Sequence, residues 1–136
     1  MFCIHLFKRG TCCAALGMAM ACQPPVATPG PMAADAEHAV LVVMRAPAGA
    51  GAPDGLQVQV DEQQMEGLRI QERLETAVVP GVHSVAVPGA FHFFTAEPGR
   101  TYYFLVTPGD PVRIGMLDSR RAARRLAETR PRDFGD

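Results

Sequence analysis

Residues 78–117 read VVPGVHSVAVPGAFHFFTAEPGRTYYFLVTPGDPVRIGML, and this stretch decides the fold class. Four Pro-Gly pairs, at intervals of eight to ten residues, separate short segments rich in β-branched and aromatic side chains. Short β-prone segments separated by regularly spaced turn residues are typical of an antiparallel meander. Glu97-Pro98-Gly99-Arg100 places Pro and Gly at the second and third positions of a turn, which predicts a type II turn with positive φ at Gly99. The stretch therefore predicts a mostly β protein.

A hairpin closed at that turn predicts which side chains face the core. It sets three pairs of residues opposite each other, namely Phe93 and Phe104, Thr95 and Tyr102, and Phe91 and Val106. Alternation along the neighbouring strands adds Val85, Val87, Val112, Ile114 and Met116 to the same face. A sheet with one such face must bury it, so we expect a small antiparallel β-sandwich.

Two earlier segments supply the second sheet of this sandwich. His38–Arg45 is a continuous apolar run, which predicts a strand covered on both faces. Residues 56–61, LQVQVD, alternate strictly, which directs the apolar side chains to the core and both glutamines to water. The apolar residues between Glu62 and Glu75 fit a short helix or an irregular strand pair, and we favour the strand pair.

The opposite face of the meander is also largely apolar. It carries His92, Phe94, Tyr103, Leu105, Arg113 and Leu117. The terminal segment offers a cover, because Asp118-Ser119 is a helix cap and an apolar stripe follows at Ala122, Ala123, Leu126 and Ala127. We therefore expect one helix, from about Ser119 to Thr129, over this face. The alternative is that Phe94 and Tyr103 stay exposed and bind a ligand.

The amino terminus has the layout of a secretory signal. Lys8 and Arg9 precede twelve uncharged residues that end at Ala21, far fewer than the roughly 20 that cross a bilayer. The stretch Ala19-Met20-Ala21 fits an ordinary cleavage site, and Ala21-Cys22 also fits a bacterial lipobox, in which the cysteine sulfur is acylated before cleavage. We favour lipid attachment at Cys22, because a lone cysteine at a new amino terminus would otherwise serve no purpose. The alternative is a soluble protein cut after Ala21.

A Pro-rich segment follows, with prolines at positions 24, 25, 29 and 31, and is typical of an extended tether. All four cysteines lie within the first 22 residues, so the folded part has no disulfide. We divide the chain into a signal peptide at 1–21, a lipid-anchored tether at 22–37, a β-sandwich domain with a terminal helix at 38–129, and a disordered tail at 130–136. In Gram-negative lipoproteins an Asp directly after the cysteine resembles a signal for retention in the inner membrane. Gln23 stands at this position instead, which favours the outer membrane, with the domain facing the periplasm.

One resemblance extends this interpretation. VPGVHSV at residues 79–85, followed by AEPGRTYY at 96–103, resembles a bacterial domain of unknown function found in small lipoproteins and akin to PEGA-like surface domains. The pattern of that family is an apolar-PG-x-H-x-apolar strand and an A-x-x-G-x-x-Y-Y hairpin. The resemblance covers about residues 38–129, and Glu62 departs from it where the family has Gly. It implies a β-sandwich, a lipid anchor and no established activity.

Side chains suited to catalysis or metal binding are few after the signal peptide. Ser84 and Ser119 are the only serines there, and Ser84 should point away from His83 because adjacent strand residues face opposite sides. The register above places His83 and His92 on opposite faces, and His38 is the only other imidazole in the mature chain. The sequence therefore predicts no catalytic residue, no metal site and no cofactor, and leaves an enzyme with an unrecognised site as a remote third hypothesis.

Charge is balanced overall but unevenly distributed. Thirteen basic and fourteen acidic residues give a net charge of -1, which provides no footprint for nucleic acid. Residues 118–136, by contrast, hold six arginines against four acids. Four of them, Arg120, Arg121, Arg124 and Arg125, lie on the outer face of the predicted helix and suit an anionic lipid surface or an acidic partner. A solvated helix face is the simpler interpretation.

These observations favour a non-enzymatic envelope lipoprotein whose β-sandwich contacts another envelope component, either a protein or a glycan. The second hypothesis is a soluble periplasmic module that binds a glycan or a peptide through the aromatic face of Phe94 and Tyr103.

Overall fold

Nine strands and one helix account for most of residues 32–132, the part of the chain that the structure, a computed structural model, describes. In chain order the elements are β1 (Ala39–Arg45), β2 (Leu56–Val60), β3 (Gln63–Leu68), β4 (Glu72–Val78), β5 (Gly81–Val87), β6 (Ala90–Ala96), β7 (Thr101–Thr107), β8 (Arg113–Leu117), α1 (Ser119–Glu128) and β9 (Arg130–Pro131). The mostly β prediction is confirmed, and residues 62–75 contribute strands as favoured.

The strands form two sheets that pack face to face. One has five strands in the order β8-β7-β1-β4-β9, and the other has four in the order β3-β2-β5-β6. Neighbouring strands are antiparallel except for β1 with β7 and β4 with β9, which are parallel. The predicted sandwich with one terminal helix is confirmed, as an antiparallel-rich rather than a wholly antiparallel fold.

Strand β1 is buried at all seven positions, as its continuous apolar sequence predicts. Leu41 and Val43 face the core between the sheets. Val42 and Met44 face outward, into a second cluster on the far side of the five-stranded sheet. In β2, by contrast, burial alternates, because only one face of the four-stranded sheet is covered.

The turn at Pro98-Gly99 has the predicted conformation but a different role. Gly99 has a φ of 76°, and the amide of Arg100 donates to the carbonyl of Glu97 at 3.3 Å. However, β6 on one side pairs with β5, whereas β7 on the other side pairs with β1 and β8. The turn therefore carries the chain from one sheet to the other. The three residue pairs predicted across a hairpin at this turn are wrong.

Strand β6 also faces the opposite way from the prediction. The β5–β6 hairpin closes through Pro88 and Gly89 alone, with Val87 opposite Ala90. The predicted register counted Ala90 into the loop, and a slip of one residue reverses the face of every side chain that follows. Phe94 is therefore the core residue, at 6% exposure, while Phe93 is 64% exposed.

Helix α1 covers the outer face of the five-stranded sheet, as predicted. The carboxylate of Asp118 caps it by accepting from the amide of Arg121 at 2.9 Å. Leu126 packs against the outward cluster, which comprises Val40, Val42 and Met44 with Ala34, Tyr103, Leu105 and Leu117. Ala122 is buried, but Ala123 and Ala127, which were expected in the apolar stripe, are exposed. The covering stripe is therefore narrower than predicted.

Both ends of the described chain are held on this same face by one buried ion pair. The Nε of Arg73 donates to Glu75 Oε1 at 2.5 Å, and these side chains are only 8% and 10% exposed. Glu75 Oε2 accepts from the amide of Met32 at 2.6 Å, and Arg73 Nη1 donates to the carbonyl of Thr129 at 2.6 Å. The end of the expected tether thus lies along the domain.

The segment after α1 also belongs to the fold. Arg130 and Pro131, expected at the start of a disordered tail, form β9 beside β4. The amide of Arg132 donates to the carbonyl of Arg73 at 3.0 Å. Residues on both sides of the predicted limits, 38 and 129, therefore pack on the domain.

Candidate functional site

Two phenylalanines lie exposed on the outer face of the four-stranded sheet. Phe91 and Phe93 occupy successive outward positions of β6, with their ring centroids 5.5 Å apart in an edge-to-face arrangement. They are 69% and 64% exposed. Val82, an outward residue of β5, is exposed beside them. Phe91, Phe93 and Val82 are termed the aromatic strip below.

Uncharged polar side chains occupy the outward positions next to the aromatic strip, and the Asp61 carboxylate is the nearest charge, accepting from the amide of Ser84 at 2.8 Å. Ser84 lies directly opposite Phe93 in the sheet, and Thr95 is the next outward residue of β6. Farther across the same face, Gln64 Nε2 donates to Gln57 Oε1 at 3.2 Å. Strand β6 is moreover an edge strand of its sheet, and large apolar side chains on an exposed edge mark a site of association.

The aromatic face predicted from the sequence does not exist as a surface. Phe94 lies between the sheets, with ring centroids 5.1 Å from Phe104 and 5.2 Å from Tyr102. Tyr103 belongs to the other sheet and packs in the outward cluster beneath α1. Within residues 32–132 the exposed aromatic residues are instead Phe91 and Phe93. Counting Pro88-Gly89 as a two-residue hairpin turn would have identified them, because that register turns both rings outward.

The predicted partner-contact arginines do lie together on α1. Arg120, Arg121 and Arg124 are exposed and Arg125 is partly buried. Two of the four form ion pairs within the helix region: Arg121 with Asp118 at 3.5 Å and Arg125 with Glu128 at 3.0 Å. Neither Arg120 nor Arg124 has an ion-pair partner among residues 32–132. Arg113, on the outward side of β8, adds a fifth arginine, which is exposed.

A groove separates α1 from the outer face of β7 and β8. Its volume is about 480 Å³, and its lining comprises Leu105, Leu117, Arg121, Arg124, Arg125 and Glu128. Gly115 lies opposite Leu105, and a Cβ placed on Gly115 would meet no atom within 4 Å. The result is an apolar floor beneath a cationic rim, termed the arginine groove below.

His83 and Asp61 form an ion pair between strand β5 and the β2–β3 turn. His83 Nδ1 hydrogen-bonds the Asp61 carboxylate, and His83 Nε2 lies 2.5 Å from the carbonyl oxygen of Val79. Both partners are acceptors, so both ring nitrogens donate and the imidazole is a cation. With both nitrogens engaged, His83 can neither bind a metal nor accept a proton from a substrate.

The environment of this pair shifts both pKa values toward the charged forms. Burial lowers the pKa of His83, but hydrogen bonds to Asp61 and to the carbonyl of Val79 outweigh it, and the pKa rises above the ordinary 6.5. Burial raises the pKa of Asp61, but hydrogen bonds from His83 and from the amide of Ser84 outweigh it, and the pKa falls below 3.8. The environment therefore favours the charged form of both partners.

The other titratable candidates give no site. His92 lies on the same inward face as His83, not on the opposite face as predicted, because of the register shift in β6. Its ring packs 5.3 Å from that of Phe104. Within residues 32–132, no group of three or more His, Cys, Asp or Glu side chains is arranged to hold a metal ion.

A second cavity lies at one end of the sandwich, with a volume of about 540 Å³. Its walls are mainly the Ala- and Gly-rich loop at 48–55 together with Pro88, Pro108 and Val112. Arg45 fixes this loop, since its guanidinium donates to the carbonyls of Pro53 at 2.6 Å and Asp54 at 3.1 Å. Gln57 is the only polar side chain in the lining, so the cavity offers no group for chemistry.

Comparison of the chain with models of protein families, with curated proteins and with solved structures found no match. The predicted lipid-attachment and cleavage residues, Cys22 and Ala21, lie outside the described residues. Within the described part, no helix is long and apolar enough to cross a membrane. The surfaces that bear on function are thus the aromatic strip and the arginine groove, which lie on opposite outer faces of the sandwich.

Proposed function

We propose that this chain is a non-enzymatic, lipid-anchored protein of the bacterial cell envelope that contacts another envelope component through the aromatic strip. The observation that carries this proposal is the exposed pair formed by Phe91 and Phe93. The anchor is the lipid on Cys22, and the domain faces the periplasm from the outer membrane. No nucleic acid and no cofactor takes part.

A partner explains the exposure of the two rings better than the fold does. Neither ring contributes to the core, and each leaves a large apolar area in water. Covering both would supply on the order of 5 kcal/mol of hydrophobic stabilisation before the entropic costs of association. Aromatic side chains that dock in this way are the usual energetic centres of protein interfaces.

The contact can be tested in cells with a photoreactive residue at Thr95, which is exposed beside Phe93. We expect one dominant adduct, and we expect the double variant Phe91→Ser, Phe93→Ser to lose it while remaining folded. A photoreactive residue at Asp110, in the exposed loop between β7 and β8, is the matched control and should give no such adduct. An adduct at Thr95 that persists in the double variant would overturn the role of the strip.

The anchor is tested separately by labelling cells with palmitate. Wild-type protein should incorporate the label and the Cys22→Ala variant should not, because the thiol of Cys22 is the attachment point. Unlabelled wild-type protein would overturn the lipoprotein proposal and leave the soluble alternative.

That alternative is a periplasmic module, cut after Ala21, which binds a glycan or a peptide. The hydroxyls of Ser84 and Thr95 beside the phenyl rings favour an uncharged glycan as its ligand, with the aromatic strip replacing the face of Phe94 and Tyr103. Retention of secreted protein on purified envelope glycan, lost in the Phe91→Ser, Phe93→Ser variant, would support it. Absence of retention would count against it.

A further inference from the structure

We infer that the face bearing α1 docks onto the anionic phospholipid surface of the membrane that holds the chain, so that the aromatic strip points away from the bilayer. This inference rests on the proposed lipid anchor at Cys22. It adds an orientation and a second, non-covalent contact that the anchor alone would not supply.

The path of the chain is the first observation. Met32 is held by Glu75, on the outward side of β4, and Ala34 packs into the outward cluster beneath α1. The described chain therefore begins on the same outer face that carries α1. Only nine residues, 23–31, lie between Met32 and the anchor on Cys22, and this connection reaches on the order of 30 Å even when extended. So short a connection favours turning that face, rather than the aromatic strip, toward the bilayer.

The charge of the face is the second observation. Five arginines lie on α1 and on the adjacent strand β8, whereas the acids among them are Asp118 and Glu128. By contrast, the outward positions of β5 and β6 carry no charged residue within the described chain. The domain is thus electrically polarised across its thickness, although the whole chain has a net charge of only -1. A cluster of this size is sufficient to attract an anionic leaflet.

The arginine groove gives the contact its chemical form. Its lining combines three arginines with the two leucines Leu105 and Leu117, and one acid, Glu128, is already paired with Arg125. Guanidinium groups pair with phosphate oxygens through two parallel hydrogen bonds. A phospholipid would place its phosphate at this rim and the start of its apolar acyl chains over the two leucines.

The test uses the lipid-anchored protein itself, purified from membranes and reconstituted into vesicles. In the mature chain Cys22 is the only cysteine and its sulfur would be acylated, so an introduced cysteine is a unique attachment point for a fluorophore. One label is placed on α1 at Ala123→Cys and a matched label on the opposite face at Thr95→Cys; both positions are exposed. The vesicles contain a headgroup-linked quencher and either phosphatidylcholine alone or phosphatidylcholine with phosphatidylglycerol.

We expect the label on α1 to be quenched in the phosphatidylglycerol vesicles. The label at Thr95→Cys should be unquenched in both kinds of vesicle. The double variant Arg120→Gln, Arg124→Gln should lower the ratio of docked to undocked protein by roughly 25-fold, at about fivefold per arginine near an anionic surface. Arg100→Gln, which removes one exposed arginine outside α1, should have no comparable effect. Raising the salt concentration should release the docked state.

Equal quenching of the α1 label in both vesicle types would overturn the inference. The absence of quenching in both would also overturn it, and would leave an acidic protein as the partner of the arginine groove. Failure of the anchor would be separately visible, because the anchored protein should co-float with phosphatidylcholine vesicles whether or not α1 docks. If the protein does not co-float with phosphatidylcholine vesicles, the lipid anchor has failed. Flotation with the phosphatidylglycerol-containing vesicles would then still support docking, whereas no flotation with them would overturn the docking inference.

Discussion

The imidazole of His83 joins the carboxylate of Asp61 to the carbonyl of Val79, and thereby fastens the β2–β3 turn to strand β5. Asp61 also accepts from the amide of Ser84 at 2.8 Å. The turn needs this support, because Asp61 and Glu62 have φ values of 49° and 67°, a region that disfavours L side chains. One histidine thus compensates for strain in a turn on a neighbouring strand.

The ion pair predicts a stability that depends on pH. The pKa of His83 is raised in the folded state, so its stabilisation is complete below the unfolded value of 6.5 and is lost as the pH rises through the folded value. The pKa of Asp61 is lowered, so its stabilisation is present above 3.8 and is lost as the pH falls. We expect the free energy of unfolding, measured in urea between pH 4 and pH 9, to decline on the alkaline side, and His83→Gln to abolish that decline. The same alkaline slope in the variant would contradict this assignment.

The turn itself offers a stabilising substitution. Glu62 lies in the left-handed region, where glycine is unstrained. Glu62→Gly should raise the free energy of unfolding by about 0.5 to 1 kcal/mol, since strain relief exceeds the added freedom of the unfolded chain. Thermal unfolding provides the measurement, and Glu62→Ala, which keeps the strain, is the control.

At the inter-sheet turn, replacing Gly99 should destabilise the protein, whereas introducing glycine at position 62 should stabilise it. The φ of 76° at Gly99 favours glycine, and an added Cβ would lie 3.6 Å from the carbonyl oxygen of Asp35, an ordinary contact. Gly99→Ala should therefore lower the free energy of unfolding by about 1 kcal/mol through backbone strain alone. An unchanged unfolding midpoint would show that the turn rearranges at no cost.

The register of β6 is tested by truncating two neighbouring phenylalanines. Phe94 packs against His83, Tyr102 and Phe104, so Phe94→Ala should cost roughly 3 to 5 kcal/mol. Phe93→Ala should cost less than about 1 kcal/mol, because its ring is mostly in water. Urea unfolding of both variants distinguishes this register from the reverse one, in which the two costs would be exchanged.

The terminal segment is expected to be required for the fold. Deleting residues 119–136 would uncover the outward cluster, including Val42 and Met44, and would remove β9 and the bond from Arg73 to Thr129. The truncated chain should unfold or aggregate, because a large apolar patch and an unpaired edge would be exposed together. A monomeric product with an unchanged melting temperature would contradict this prediction.

The features that the sequence predicted correctly are local ones. The burial of β1, the alternation of β2, the conformation at Gly99 and the cap at Asp118 each depend on a few adjacent residues. The helical period likewise placed Arg120 and Arg124 on an exposed face. Which strands pair with one another is not local, because Pro98-Gly99 fixes the direction of the chain but not the sheet that the next strand joins.

The exposed aromatic residues were predicted wrongly for a related reason. Whether Ala90 belongs to the turn or to β6 changes the register by one residue, and composition does not decide it. The choice exchanged Phe91 and Phe93 with His92 and Phe94, so the exposed rings were assigned to the core and a core ring to the surface. No pattern in the Pro-rich segment predicts that Met32 and Ala34 lie on the face that carries α1.

The parallel pairing of β1 with β7 bears on when this chain can fold. Val40 lies opposite Thr101, so the centre of the larger sheet stays open until residues far along the chain have been synthesised. Contacts between distant segments form slowly, because a long loop must close before they contribute. A protein that is exported as an unfolded chain must cross the inner membrane before it folds. In such a protein the strand order would itself delay folding, and so keep the newly made chain competent for translocation.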